Sequence, residues 1–360
     1  MSVSAVRFCG AVVASAVSLF AFATAVLAQS DSAVQPQPAI QARLADQSLL
    51  LDVTEYNGNY IAVGERGHVL LSNDGQSWQQ AESVPVSATL TRVTSFDRRL
   101  WAVGHDTTII SSMDGGNSWN LQHFDPSAQE PLLDILFLNA NQGIAVGAYG
   151  RIMRTADGGS TWSEGYIGDL MTSEAIDWGD VAAQDSADAD EFADDQNAGD
   201  LFELLDKGCY EMLECHLNEI MQVDERRLLI AAERGYGYRS EDAGETWESF
   251  RFPYSGSMFG LVPKGGCIVA FGLRGHIQRS CNFADSWEIL VTDGEESLLG
   301  GTVGGDGEII LVGSGATRIS IDLNLNIDRT FDRLGSDYAA VLQTNSGHLI
   351  LVGEDGVRYE

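Results

Sequence analysis

Three arginines share one local context, in which a short apolar run leads into a tight turn and the arginine is followed by glycine: Arg66, Arg234 and Arg274. Tyr149 holds the same place in another copy of the pattern. A guanidinium offers a planar pair of donors that suits carboxylates and other anions. We predict that these four residues form a partner-binding surface. The alternative is that each arginine pairs locally with Glu65, Glu233 or an adjacent acidic loop.

Other reactive arrangements are missing from the sequence. The 360 residues include 52 Asp and Glu against 21 Lys and Arg, a net charge of −31. Because so acidic a surface repels phosphate backbones, nucleic acid is excluded as a partner. No Ser/His/Asp set, nucleotide fingerprint or metal-ligand spacing occurs, so we predict no catalytic residue, no metal and no cofactor. His68 and His276 follow Arg-Gly pairs and are expected to be strand residues rather than ligands.

The elements that must position these residues repeat about every 41 positions. Each copy has an apolar run, a four-residue turn that is usually glycine-rich, and a second apolar run. The seven turns are Gly64–Gly67, Gly104–Thr107, Gly147–Gly150, Ala232–Gly235, Gly272–Gly275, Gly313–Ala316 and Gly353–Gly356. The pattern therefore predicts seven structural units.

A second motif, Ser/Thr-x-Asp-x-Gly-x-Ser/Thr-Trp, follows the second apolar run in several copies. It is complete at 112–119, 155–162 and 240–247, altered at 72–78 and 280–287, and lost from the last two copies. The Asp can accept backbone N–H groups in a tight turn, and the Trp ring can be buried beside the hairpin. We predict structural roles for Asp74, Trp78, Asp114, Trp119, Asp157, Trp162, Asp242, Trp247 and Trp287.

Each repeat is typical of four short antiparallel strands joined by glycine turns. Repeated four-stranded units pack radially, so the predicted fold is all-β, a seven-bladed β-propeller over residues 45–360. The last copy reaches Tyr359-Glu360 just after its third strand. We expect the N-terminal segment 29–44, near Ala39 to Leu44, to supply the fourth strand and close the ring.

Residues 1–28 have the features of a secretory signal peptide, with one charge at Arg7, an apolar run and small residues before the cleavage position. We predict an exported, periplasmic protein whose mature chain has no transmembrane segment and is a monomer.

If the fifth hairpin turns about Arg274, Cys267 lies opposite Cys281, which predicts a disulfide. The alternative is two free thiols. Cys209 and Cys215 could also form a bridge.

An insertion at about 164–219 interrupts the repeat. Its first part, Glu164 to Asp206, has many acidic residues and no basic one, and it lacks the glycine and final Glu of an EF-hand loop. We expect a solvated acidic loop. Its last part has apolar residues at mixed helical spacing, which is consistent with a short helix docked on the propeller or on a partner.

The turns at 112–119, 155–162 and 240–247 resemble the Asp-box (BNR) repeats of sialidases and sortilins. Seven such units behind a signal peptide, with the Val63–Gly67 motif, look similar to the Ycf48/HCF136 family of photosystem II stability and assembly factors. The resemblance covers about residues 45–360. It implies a non-enzymatic propeller that binds a membrane-protein intermediate, and bacterial relatives are often associated with envelope transport systems. The chain departs from this family in its acidic insertion and its sparser basic patch.

A sialidase-like or other glycan-binding or glycan-hydrolysing propeller is the alternative function. Tyr149 and Tyr236 fall near the appropriate face. The N-terminal arginine motif of sialidases is absent, and the sequence assigns no pair of catalytic carboxylates. Turnover of a chromogenic glycoside distinguishes the two functions.

Overall fold

The protein is all-β and forms seven antiparallel sheets, which confirms the predicted seven-bladed β-propeller. The computed structural model describes residues 34–172 and 215–360. The segment predicted to be a signal peptide, most of the insertion and Cys209 lie outside the described residues. Within the described ranges no helix is long and apolar enough to span a bilayer.

Six blades have four strands and the seventh has three among the described residues. Each blade runs in chain order from the innermost strand outwards. Blades one to four contain β1 Leu50–Tyr56, β2 Asn59–Gly64, β3 Val69–Ser72, β4 Gln79–Gln80, β5 Leu90–Phe96, β6 Arg99–Gly104, β7 Thr108–Ser112, β8 Asn120–His123, β9 Leu132–Phe137, β10 Gly143–Gly147, β11 Arg151–Thr155, β12 Ser163–Tyr166, β13 Leu217–Gln222, β14 Leu228–Ala232, β15 Tyr236–Ser240 and β16 Glu248–Arg251. Blades five to seven contain β17 Met258–Lys264, β18 Cys267–Gly272, β19 Ile277–Ser280, β20 Glu288–Leu290, β21 Leu298–Val303, β22 Ile309–Gly313, β23 Thr317–Ile321, β24 Ile327–Thr330, β25 Tyr338–Gln343, β26 Leu349–Gly353 and β27 Gly356–Tyr359.

Helical structure among the described residues is limited to short 3-10 turns. They are Ala45–Gln47, Glu65–Gly67, Ala148–Gly150, Ile167–Leu170 and Leu273–Gly275. The outer strand of blade three includes Glu164, and the first strand of blade four starts at Leu217. The expected insertion at 164–219 therefore overlaps both blades by a few residues, because its acidic composition begins within a strand.

Among the described residues, the ring closes without the expected strand. Ala39 donates its N–H to the Val84 carbonyl at 3.0 Å, and the Gln41 side chain donates to the Ala81 carbonyl at 2.7 Å. The segment from Ala39 to Leu44 thus lies along blade one and does not complete blade seven. Closure instead comes from a shared apolar core, in which Val53 of blade one packs with Val352 of blade seven.

The Ser/Thr-x-Asp turns have the expected internal geometry. In blade two the Ser118 N–H donates to Asp114 Oδ1 at 2.9 Å, and the Gly116 N–H donates to Ser112 Oγ at 2.9 Å. Trp119 Nε1 donates to the Gly116 carbonyl at 2.8 Å. Gly116 has φ of +91° and lies against blade one, where an added Cβ would be 3.2 Å from the Leu71 side chain. Each turn therefore also joins its blade to the preceding one.

Burial of the five tryptophans is uneven. Trp119 and Trp247 are buried, whereas Trp78, Trp162 and Trp287 are half-buried. The altered turn of blade five keeps its hydrogen bonds, since the Ser286 N–H donates to Asn282 Oδ1 at 3.1 Å. In blade six, where the motif is lost, the Asn326 N–H still donates to Asp322 Oδ1 at 2.8 Å. The turn conformation therefore occurs in more blades than the sequence motif does.

Two arginines of the third strands bind the turn of the next blade. Arg154 Nη1 lies 3.3 Å from Glu245 Oε2, and Arg239 Nη1 lies 2.5 Å from Asp285 Oδ1. Arg279, at the equivalent place, instead pairs with Glu288 of its own blade at 2.6 Å. Arg154 and Arg239 therefore link neighbouring blades.

Cys267 and Cys281 are joined by a disulfide, as the hairpin register requires. The two strands pair Ile268 with Ser280, which places the cysteines directly opposite each other at the next position. Their Cα atoms are 4.0 Å apart. Cys215 is also disulfide-bonded.

Gln278 of β19 is an anomaly in the core and gives a first prediction. It is fully buried, and neither Nε2 nor Oε1 has a hydrogen-bond partner among the described residues. Equivalent positions in blades one and three hold Leu70 and Met153. Because a buried unpaired amide is destabilising, Gln278→Met should raise the free energy of unfolding by about 1–3 kcal/mol. Urea denaturation measures the change.

The matched control is Gln79→Met on an exposed position, where we expect a change within about 0.5 kcal/mol. A lower free energy of unfolding for Gln278→Met than for the parent would contradict the prediction. That outcome would mean that the amide contributes a favourable contact.

Candidate functional site

The candidate surface is the upper face of the ring, defined by the turns between the second and third strands and the connections between blades. Arg66, Tyr149 and Arg274 are the central residues of three 3-10 turns, and Arg234 is equivalent in blade four. All four have left-handed backbones, with φ between 54° and 58°. The repeat thus places them at one position in blades one, three, four and five.

A glycine after each of these residues makes the turn possible. Gly67 has φ of +70°, and an added Cβ would lie 2.1 Å from the Val86 carbonyl oxygen. The turn closes when the His68 N–H donates to the Glu65 carbonyl at 2.9 Å. The close approach of the chain therefore fixes the direction in which Arg66 leaves the ring.

The arginines of the upper face are accessible to different degrees. The Arg66 side chain is 77% exposed, and its Nε is 3.9 Å from Glu65 Oε2, which is a long ion pair. Arg274 is exposed and Arg234 is half-buried. Neither forms an ion pair within 4.0 Å with any residue in 34–172 or 215–360. Among the described residues, pairing with a neighbouring acid therefore applies only to Arg66.

Around Tyr149 the upper face contains a titratable pair. The Tyr149 ring meets the His216 ring edge-on at 5.1 Å, and Tyr149 is 44% exposed. His216 Nδ1 lies 3.3 Å from Glu233 Oε1. The hydrogen bond with Glu233 raises the pKa of His216. Burial acts to raise the pKa of Glu233, but hydrogen bonds from the side chain and backbone of His216 lower it, with a smaller contribution from Arg234.

Two further aromatic contacts occur on this side of the ring. Tyr254 stacks on His276 at 3.5 Å, and the Arg251 guanidinium lies 4.1 Å from the centre of the Tyr236 ring. Burial raises the pKa of Tyr254, while Arg274 nearby opposes the rise. Rings and cations are therefore interleaved across blades three to five, although the Tyr236 ring itself is buried.

The histidines of the Arg-Gly-His segments contact the blade connections. His68 is buried, and its Nδ1 lies 2.9 Å from Ser48 Oγ. In the described part of the chain no group of three or more His, Cys, Asp or Glu could hold a metal ion.

A second group of residues, at the channel of the ring, was not anticipated from the sequence. Every innermost strand has a bulge after its first residue. The residues after the bulges are Asp52, Arg92, Asp134, Glu219, Gly260, Gly300 and Ala340. A bulge turns the following side chain in a new direction. We call the first four of these residues the central charge cluster.

Arg92 is the centre of this cluster. Its Nη2 lies 2.5 Å from Glu219 Oε1, and its Nε lies 3.0 Å from Asp134 Oδ1 and 3.8 Å from Asp52 Oδ2. One guanidinium therefore contacts carboxylates from three other blades. The contacts of Arg92 therefore link blades one to four, which are more than half of the ring.

The three carboxylates also bind the backbone of the following blade. The Val93 N–H donates to Asp52 Oδ2 at 2.9 Å, and the Ile220 N–H donates to Asp134 Oδ2 at 2.8 Å. The Leu261 N–H donates to Glu219 Oε2 at 3.0 Å. The cluster thus forms a hydrogen-bonded belt from blade one to blade five.

Burial dominates the electrostatics of the belt. It raises the pKa of Asp52 to about 6 and that of Glu219 to about 7, although Arg92 opposes both shifts. Burial also raises the pKa of Asp134. An alignment of the first residues of the innermost strands could have indicated this cluster. Asp, Arg, Asp and Glu occupy the same position there, in segments that are otherwise mostly apolar.

Comparison with family models finds no match for this chain, and comparison with curated proteins finds none either. Solved structures do match. "YCF48 bound to D1 peptide" has a TM-score of 0.61 at 16% identity over 92% of this chain and 98% of its own. YCF48 from Cyanidioschyzon merolae has a TM-score of 0.63 at 15% identity over 91% and 98%. Streptogramin B lyase has a TM-score of 0.64 at 11% identity over 87% and 93%.

These likenesses establish the propeller fold. YCF48 structures, which match across nine-tenths of the chain, are among the similar solved structures, in agreement with the resemblance found in the sequence. Because the lyase has the same architecture, the fold by itself does not assign an activity.

Proposed function

We propose that the protein is an exported, non-catalytic scaffold that binds an envelope membrane-protein complex and assists its assembly or stability. The observation that carries the proposal is the set of equivalent left-handed turns that present Arg66, Tyr149, Arg234 and Arg274 on one face. YCF48, a propeller of similar fold, has been solved with a D1 peptide. By analogy we propose a protein client here, and export to the periplasm through residues 1–28.

The chemistry of the upper face favours a carboxylate-bearing segment of the client. On a chain with net charge −31, Arg234 and Arg274 have no ion pair with any residue in 34–172 or 215–360. Arg66 and Arg274 lie in rigid turns that hold their backbones in place, which limits the entropy lost on binding. Bidentate hydrogen bonds from such an arginine to a carboxylate fix the orientation of the bound group as well as adding affinity.

The test is affinity capture of the tagged mature protein from detergent-solubilised envelope, read by mass spectrometry. The triple variant Arg66→Glu, Arg234→Glu and Arg274→Glu should lose the client. A single hot-spot arginine contributes about 2 kcal/mol or more, so with at least one hot spot and charge reversal at all three sites we expect a loss of affinity of roughly 100-fold or greater. Thermal unfolding of the triple variant should match that of the parent.

A matched comparison separates the effect of the site from that of charge. The test variant combines Arg66→Glu with Arg274→Glu. The control variant combines Arg98→Glu with Arg226→Glu and changes the net charge by the same amount. Both control arginines are exposed and lie in turns at the opposite face of the ring. Only the first pair should weaken capture. Capture that survives the triple variant unchanged would contradict this assignment. Turnover of a chromogenic glycoside by the parent would contradict the non-catalytic proposal.

A further inference from the structure

The central charge cluster combines three carboxylates with one guanidinium in a poorly solvated place. Asp52 is 6% exposed and Asp134 is 3% exposed. The Glu219 side chain is 15% exposed and that of Arg92 is 32% exposed. Full ionisation would leave two uncompensated negative charges there. Like charges at close range inside a protein oppose each other's ionisation.

No other innermost strand supplies a compensating charge at this level of the channel. The residues after the bulges of β17, β21 and β25 are Gly260, Gly300 and Ala340. The remaining charged residues of the innermost strands are Glu55 and Lys264, at the far ends of β1 and β17. Lys264 Nζ donates to the carbonyls of Gly307 and Ile321, both at 3.1 Å.

We propose that the central charge cluster is a proton-binding site, which takes up a proton near neutral pH and makes the belt across blades one to five sensitive to pH. The solvent supplies the proton, which converts one carboxylate to a neutral carboxyl. An oxygen of that carboxyl keeps accepting the backbone N–H of the next blade. The belt is retained and the repulsion is relieved.

The direction of the pH effect follows from the raised pKa values of Asp52 and Glu219. When the pH lies between the ordinary pKa of these acids and their raised pKa in the folded protein, the folded state binds more protons than the unfolded state. The contribution of the cluster to stability therefore rises as pH falls from 8 towards 5. His68 and His123 oppose this rise, because burial lowers the pKa of both. Acids with lowered pKa act in the opposite sense only in more acidic solution, because Asp74 and Asp224 have pKa values of about 2.

The first experiment measures the urea midpoint of the full chain at pH 8, 7, 6 and 5. The midpoint of the parent should rise as pH falls, and Asp52→Asn or Glu219→Gln should each lose about half of that rise. The control Glu55→Gln lies on the same strand as Asp52 and should keep all of it. General charge repulsion affects the parent and the three variants alike. The differences between their pH-dependent urea midpoints therefore report on the cluster.

The main readout of the second measurement uses the parent protein alone. Infrared difference spectra of the folded parent between pH 8 and pH 6 should show the C=O band of a protonated buried carboxyl, and Glu219→Gln should reduce it. A parent without this band, or variants with the full pH-dependent rise of the parent, would overturn the proposal. Neither readout depends on a client, so a failure here is distinct from a failure of the scaffold function.

Discussion

Replacement of Arg92 by methionine is expected to lower the free energy of unfolding by about 3–5 kcal/mol at pH 8, because it leaves three buried carboxylates without their cation. Methionine keeps much of the side-chain volume, so little of the loss arises from a cavity. Urea denaturation at several pH values measures the effect. The loss should become smaller towards pH 5, where the carboxylates of the variant can be protonated.

The control for Arg92→Met is Arg318→Met. Arg318 Nη1 lies 3.1 Å from Glu360 Oε2, and both side chains are about two-fifths exposed. Exposed pairs contribute little, so we expect a loss below about 1 kcal/mol with little dependence on pH. Equal losses for the two variants, or a loss for Arg92→Met that is the same at pH 8 and pH 5, would contradict the role given to the cluster.

Replacement of Trp119 by alanine is the second change with a large expected effect, a loss of about 3–5 kcal/mol. The ring is buried in the core shared by blades one and two, and its Nε1 donates to Gly116. The substitution leaves a cavity and removes that hydrogen bond. The loss is measured by urea denaturation, with Tm as a second readout.

Trp162→Ala provides the comparison within the same motif. Trp162 is half-buried, and its Nε1 has no hydrogen-bond partner among the described residues. Its loss should therefore be clearly smaller than that of Trp119→Ala, although the two sequences match the same pattern. A Trp162→Ala variant less stable than Trp119→Ala would show that motif identity outweighs burial.

The sequence alone determined the number of blades, the position of the four upper-face residues and the partner of Cys267. All of these depend on local periodicity. A strand, a tight turn and a second strand define each hairpin, so equivalent residues of successive hairpins share a face. The register about Arg274 needed only the two strands that flank it.

Ring closure was settled by tertiary packing. The third strand at the end of the chain indicated a missing partner, and the N-terminal segment was the obvious candidate. The structure places Ala39 to Leu44 on blade one instead. Side chains of the first and seventh blades already bury each other, so closure needs no shared strand.

The central charge cluster and Gln278 also needed the tertiary structure. Asp52 and Glu219 are far apart in sequence and reach one guanidinium only because the ring brings the innermost strands around one axis. Bulges, which the apolar pattern does not reveal, aim these side chains. Local periodicity therefore determines the blades and their faces, whereas contacts across the axis and the pairing of buried polar groups depend on how all seven blades pack together.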